Sequence, residues 1–218
     1  MRRKLLLIIA LITFLSLFVT LALHAQDTIT LVHKSYKTTF SKSKHYPVKV
    51  EWWLTRAMLN CDEKIKRTDK FVADPQLPNE TKLQPDYDGS GFDRGHNFNA
   101  ADGACDQTSM IESFYFSNMT AQYPSLNRGD WKSLESMTRE YALKDDSVHV
   151  WCGSVGVAKH IGTTAIPTQC WKVLYFVKTK EWMAFLFNND TSKPDGLHNN
   201  QVDVADITKL TGFTFRAR

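Results

Sequence analysis

The chain has 218 residues, with 27 Lys and Arg against 23 Asp and Glu, and four cysteines. Three of those cations, Arg2, Arg3 and Lys4, stand in a leader that holds no acid, so the remainder is close to electroneutral. That balance excludes a broadly basic nucleic-acid coat, and any attraction for a polyanion must come from a local patch.

The leader comes first in chain order. An apolar run from Leu5 to Leu23 follows the three cations, and His24-Ala25-Gln26 offers a small residue at which a signal peptidase can cut. This is the order of a secretory signal peptide over residues 1–25, which would deliver the product to the periplasm or the medium. The run is also long enough to cross a bilayer, so retention as a membrane anchor is the alternative. Residues 26–218 suffice for one domain with a sizeable core.

Ile29 to Val32 and Tyr36 to Phe40 read as short strands, and the basic cluster Lys42-Ser43-Lys44-His45 reads as a solvated loop. Pro47 to Leu54 is a stronger strand, because Val48, Val50 and Trp52 alternate with Lys49 and Glu51. From Asn60 to Ser90 the chain is polar, and Pro75, Pro78 and Pro85 forbid a long helix or a central strand, which predicts a long irregular loop. Ser113 to Phe116 reads as a strand leading into Asn118. Asp130 is a good N-cap for a helix in which Trp131, Leu134, Met137 or Thr138, and Tyr141 recur at helical spacing. Glu135 shares a different face with Trp131 and Arg139.

Three further strands are predicted at Val148–Cys152, Cys170–Lys178 and Trp182–Phe187, the last two as an interior hairpin. A short helix over Asp203–Leu210 closes at Gly212. Strands and helices mix without βαβ alternation, so the fold class is α+β with a mainly antiparallel sheet. In an oxidising compartment Cys61, Cys105, Cys152 and Cys170 favour two disulfides. Of the three pairings, Cys61 with Cys105 and Cys152 with Cys170 is preferred, since the latter two end apolar segments facing each other across a Gly- and Pro-containing loop. No C-x-x-C or C-x-x-H spacing supports zinc.

The stretch Gly89-Ser90-Gly91-Phe92-Asp93-Arg94-Gly95-His96-Asn97 carries the chemistry. It sets an imidazole, a guanidinium and a carboxylate within four residues, among glycines that let a loop bend. A neutral His takes a proton from water, and Arg holds a phosphate oxygen through paired hydrogen bonds, the parts of a phosphodiester-cleaving site. Downstream stand Phe116-Ser117-Asn118-Met119-Thr120-Ala121-Gln122, Leu126-Asn127-Arg128-Gly129-Asp130-Trp131 and Leu134-Glu135.

This succession resembles the DNA/RNA non-specific endonucleases, a family of ββα-metal (His-Me finger) nucleases, from about Val50 to Phe215. The resemblance implies a ββα-metal catalytic motif, with His96 as general base and Asn127 as ligand of a divalent metal, Mg²⁺ first and Mn²⁺ second. It implies that Glu135 holds metal-bound water, that Arg94 meets phosphate charge and that Arg67, ahead of Phe71-Val72-Ala73-Asp74-Pro75, assists. Asp93 and Asn118 are expected to support the site. Ala121 replaces a frequent Pro, Asn97-Phe98-Asn99 replaces a small apolar run, and Thr208 stands where Glu is common; none of these removes a reacting group.

No base-reading motif or aromatic single-strand platform is evident, so both DNA and RNA are expected as substrates, with low sequence specificity. Two readings compete with an exported endonuclease leaving 5′-phosphates. One is a catalytically silent nucleic-acid-binding domain, which has no chemical reason to keep His96, Arg94, Asn127 and Glu135 together. The other is a phosphodiesterase acting on small phosphate esters.

Overall fold

The computed structural model describes residues 27–217, so the predicted signal peptide lies outside the described residues. The elements in order are β1 (Thr28–Val32), β2 (Lys37–Ser41), β3 (Tyr46–Thr55), α1 (Arg56–Leu59), α2 (Gln84–Tyr87), β4 (Asp93–His96) and α3 (Gln107–Glu112). Then come β5 (Met119–Gln122), α4 (Pro124–Arg128), α5 (Asp130–Asp145), β6 (Ser147–Val155), β7 (Lys159–Ile161), β8 (Thr164–Ile166), β9 (Gln169–Phe176) and β10 (Glu181–Asn188). The two-residue β11 (Gln201–Val202) and α6 (Val204–Thr211) end the chain.

Seven strands form one antiparallel sheet in the order β1-β2-β3-β6-β9-β10-β11. The expected α+β class is observed. The alternation of Val50, Trp52 and Leu54 seats β3 against α5, whose Trp131, Leu134, Thr138 and Ala142 are buried at helical spacing. The opposite sheet face packs Trp151, Trp171 and Val173 under Ile207 of α6. Gly212 ends α6 in the left-handed conformation at φ 74°, with its N–H donating to the Thr208 carbonyl. Of the predicted interior hairpin, β9 is flanked on both sides, whereas β10 has only β11 beyond it.

A second, two-stranded sheet pairs β4 with β5, placing His96 opposite Met119 and Asp93 opposite Gln122. With α5 it makes the ββα unit. The expected catalytic loop is therefore a strand from Asp93 onward, and only Gly89 and Gly91 adopt positive φ. Gly95 is needed for a different reason: a Cβ there would strike the Gln122 side chain.

Four expectations are corrected by local chemistry. Residues 113–116 are not a strand; Phe116–Asn118 is a 3₁₀ turn and the strand begins at Met119. The Ser117 hydroxyl donates to Asp74, and the Asn118 side chain bonds three backbone groups, in competition with a ladder. Asp130 is the first residue of α5 rather than its cap, and its carboxylate accepts the N–H groups of Asp195 and Gly196 at 3.1 and 3.4 Å.

Cys61 and Cys105 are disulfide-bonded, but Cys152 and Cys170 are free and buried. The β6–β9 register sets Cys152 opposite Lys172 and Cys170 opposite Ser154, so the two thiols are diagonal neighbours rather than a facing pair. Finally, the basic cluster at 42–45 is more than a solvated loop. The Lys44 carbonyl accepts from Ala165 and the His45 ring meets the Thr163 carbonyl, so it docks the β7–β8 hairpin.

Candidate active site

His96 ends β4 with 7 % of its surface exposed, its ring edge-on to Phe114 at 5.0 Å and tilted against Phe71 at 5.7 Å. Trp131 of α5 donates its indole N–H to the His96 carbonyl at 3.1 Å, which ties strand to helix directly behind the imidazole. The Nε2 atom is buried with no hydrogen-bond partner. Burial holds the ring down to about 3, with the Arg67 charge acting in the same sense, so it is neutral at physiological pH.

His96 lines a cavity of about 420 Å³ together with Arg67, Arg94, Asn99, Asn127 and Glu135, and with Arg128, Lys132 and Arg139. Arg94, on the same face of β4 as His96, lies 5.1 Å from the Phe71 ring and 5.5 Å from that of Tyr87, and Asp88 accepts from it at 2.8 Å. Arg67 reaches in from the irregular 60–83 segment, 5.0 Å over Phe114. That segment is anchored by the Cys61–Cys105 bond and by the Ile65 N–H on the Ala104 carbonyl.

Asn127 is in α4 and Glu135 in α5. Asp93 accepts from Asn127 Nδ2 at 2.9 Å and from Arg128 Nε and Nη2 at 2.8 and 2.6 Å. These bonds from Arg128 and Asn127 outweigh its burial and hold the Asp93 carboxyl below the usual range. With its nitrogen committed to Asp93, the amide oxygen of Asn127 is left for the cavity.

Asn118 lies outside the cavity. Fully buried, it bonds both backbone polar groups of Phe98 and the Ser113 carbonyl, fixing the turn after His96. All five residues expected at the reaction centre, His96, Arg94, Asn127, Glu135 and Arg67, therefore meet in one cavity. Arg128, Lys132, Arg139 and Asn99 were not anticipated. The spacing of 132, 135 and 139 is the signal the sequence offers, a polar face of α5 turned toward the cavity, whereas Arg128 lies in α4 beyond the break at Gly129. Arg139 also pairs at 3.3 Å with Asp102, which burial raises to about 6.

Five cations and one carboxylate line the cavity, but Arg67, Arg94, Arg128 and Arg139 are ion-paired with Asp69, Asp88, Asp93 and Asp102, so a phosphate meets guanidinium groups whose charge is already partly balanced. An amide oxygen and a carboxylate are hard donors, suited to Mg²⁺, which keeps several waters and takes few protein ligands. Among the described residues no group of three or more His, Cys, Asp or Glu gathers to hold a metal ion, so any ion here rests on few protein ligands.

Residues 19–218 match the family described as DNA/RNA non-specific endonuclease. Nuclease C1 of Cunninghamella echinulata var. echinulata is 30 % identical over 207 residues, which cover 85 % of this chain and 81 % of that protein. A nuclease of Nostoc sp. is 27 % identical over 87 % of this chain and 73 % of its own. In fold, the chain is similar to a structure described as the EndoG/EndoGI complex, with a TM-score of 0.78 and 22 % identity over 85 % of this chain and 84 % of that one. A single profile match over nearly the whole chain, and a nuclease similar along four-fifths of its length, lead to one conclusion: the chain belongs to the DNA/RNA non-specific endonuclease family.

Proposed function

We propose that this chain is an exported, metal-dependent endonuclease that hydrolyses DNA and RNA with low sequence specificity and leaves 5′-phosphates. Family membership makes it a nuclease. The observation that carries the detail is a neutral His96 lining one cavity with Arg67, Arg94, Asn127 and Glu135.

His96 takes a proton from the attacking water, whose oxygen bonds to phosphorus as the P–O3′ bond breaks and the 3′ oxygen collects a proton from solvent. The Arg67 charge is one cause of the low basicity of His96. Asp69, paired with Arg67, already offsets part of that charge, and the negative charge of an entering phosphate raises the affinity of His96 for the proton further. Arg94, held by two rings and Asp88, meets the phosphoryl oxygens with little reorganisation. Asn127, and Glu135 through water, would hold the divalent cation, Mg²⁺ with Mn²⁺ as substitute. When bound, that cation supplies Lewis-acid stabilisation of negative charge on the phosphoryl and leaving oxygens. Contacts confined to phosphate and sugar give the low sequence specificity. The leader at residues 1–25 supports export.

The test is cleavage of supercoiled plasmid and folded RNA by residues 26–218, with Mg²⁺ or with chelator, beside His96→Ala. Metal-dependent cutting of both polymers, lost by orders of magnitude in the variant, is the expected result. Binding without cutting under any divalent metal would establish a silent binding domain instead, and neither binding nor cutting would direct attention to small phosphodiesters.

A further inference from the structure

Three side chains from separate parts of the chain meet at the end of the β4–β5 pair away from His96. Phe92 directly precedes β4 and Tyr123 directly follows β5; their rings lie 4.6 Å apart at 59°. Lys159 of β7 sets its ammonium 5.1 Å from the Phe92 centroid and 5.6 Å from that of Tyr123. Lys159 is exposed, Phe92 and Tyr123 are partly exposed, and Phe92 also packs against the hydrophobic cluster behind β4 and β5. Among the described residues no salt bridge engages Lys159.

The hairpin that delivers this lysine is fixed in place. One oxygen of Asp86 accepts the N–H and hydroxyl of both Thr163 and Thr164 at 2.7 to 2.9 Å. Asp86 adjoins Tyr87, the ring beside Arg94, so Lys159 and Arg94 are positioned from the same short helix. Phe92 lies four residues from His96, about 13 Å at the rise of a strand. A stacked nucleic-acid strand covers that distance in about four nucleotides.

We propose that Phe92, Tyr123 and Lys159 form a second subsite, which takes an unpaired nucleotide of the strand being cut, its base against the aromatic pair and its phosphate on Lys159. The identity of the ligand rests on the nuclease reading above. Stacking on a π-face accepts every base, so the subsite adds affinity without sequence preference. Bases inside a duplex are not available to it, so it favours single strands and frayed ends.

The experiment uses the full chain in chelator, where nothing is cut, with fluorescein-labelled oligodeoxythymidylate and a GC-clamped DNA hairpin closed by a non-nucleotide linker, which presents no unpaired base, as probes. In Phe92→Leu/Tyr123→Leu the Kd for the single strand is expected to rise about tenfold. In Lys159→Gln it rises several-fold, and the slope of log K against log salt falls by about 0.7, one single-strand phosphate contact. Hairpin binding stays within about twofold in both. Unchanged single-strand binding, or equal weakening on strand and hairpin, would overturn the proposal. Lys159→Gln decides the matter alone if the double variant does not fold. An unmutated chain that binds oligothymidylate in the expected way yet never cuts would sink the nuclease reading and leave the subsite standing. His96-dependent cutting with normal binding by both variants would sink the subsite only.

Discussion

Replacing Asp93 with Ala removes the acceptor that fixes the Asn127 amide while leaving every group proposed to touch phosphate in place. The Asn127 Nδ2 bond to the partly buried Asp93 carboxylate is 2.9 Å long. A hydrogen bond to a charged group contributes about 1.5–3 kcal/mol. Freed of it, the amide rotates, and its oxygen faces the cavity for only part of the time. Loss of an orienting partner lowers metal affinity about 10- to 100-fold, the same range as that energy at 1.4 kcal/mol per decade. The assay is the initial rate of plasmid nicking across a wide titration of Mg²⁺. Asp93→Ala should need about 10 to 100 times more Mg²⁺ for half-maximal rate and return to within a few-fold of the unmutated rate at saturation. An unshifted Mg²⁺ midpoint would refute the orienting role, and so would a loss that no concentration of metal restores.

Three further outcomes follow from the site and the fold around it. Burial holds His96 at about 3, against about 6.5 when unfolded, so between those values the unfolded chain binds a proton that the folded chain refuses. Stability should therefore fall as pH drops from about 6.5 toward 3, and His96→Asn should flatten that part of the Tm-against-pH curve; a slope identical in both proteins would contradict the assignment. The Cys61–Cys105 bond spans 44 residues, so Cys61→Ser/Cys105→Ser should cost about 4 kcal/mol by the loop-entropy relation. Denaturant unfolding measures that cost. Thiol titration of the unmutated protein in denaturant should find the thiols of Cys152 and Cys170 free.

What was legible in the sequence was local. Asp93 to His96, Asn127 and Glu135 could be recognised because each motif is only a few residues long, and β3 because Val50, Trp52 and Leu54 alternate. Cross-strand register is not written in any one segment, and it is register that sets Cys152 opposite Lys172 rather than within reach of Cys170. The end of the 3₁₀ turn at Asn118 was hidden for a similar reason, since Ser117 is claimed by Asp74, 43 residues earlier. Asp130 reads as a cap in the sequence because its partners, Asp195 and Gly196, come from a loop some 65 residues on. The aromatic cage of Arg94 likewise draws Phe71 and Tyr87 from the proline-containing loop, which composition described only as irregular.

The break at Gly129 has a consequence for how this site tolerates changes in length. In one continuous helix, residues 127 and 135 would stand about 12 Å apart along the axis and about 80° apart around it. Here Gly129 separates α4 from α5 at φ −101° and ψ −113°, with Ser125 and Pro194 occupying the space a side chain would need. Asn127 is thereby fixed by Asp93, and Glu135 by the seating of Trp131 and Leu134 in the core. Adding or removing a residue between Leu134 and Glu135 would swing the carboxylate by about 100°. The same change beyond Arg139 leaves both oxygen donors where they are and is felt instead in the core, because it turns Tyr141 and the buried Ala142 away from the sheet.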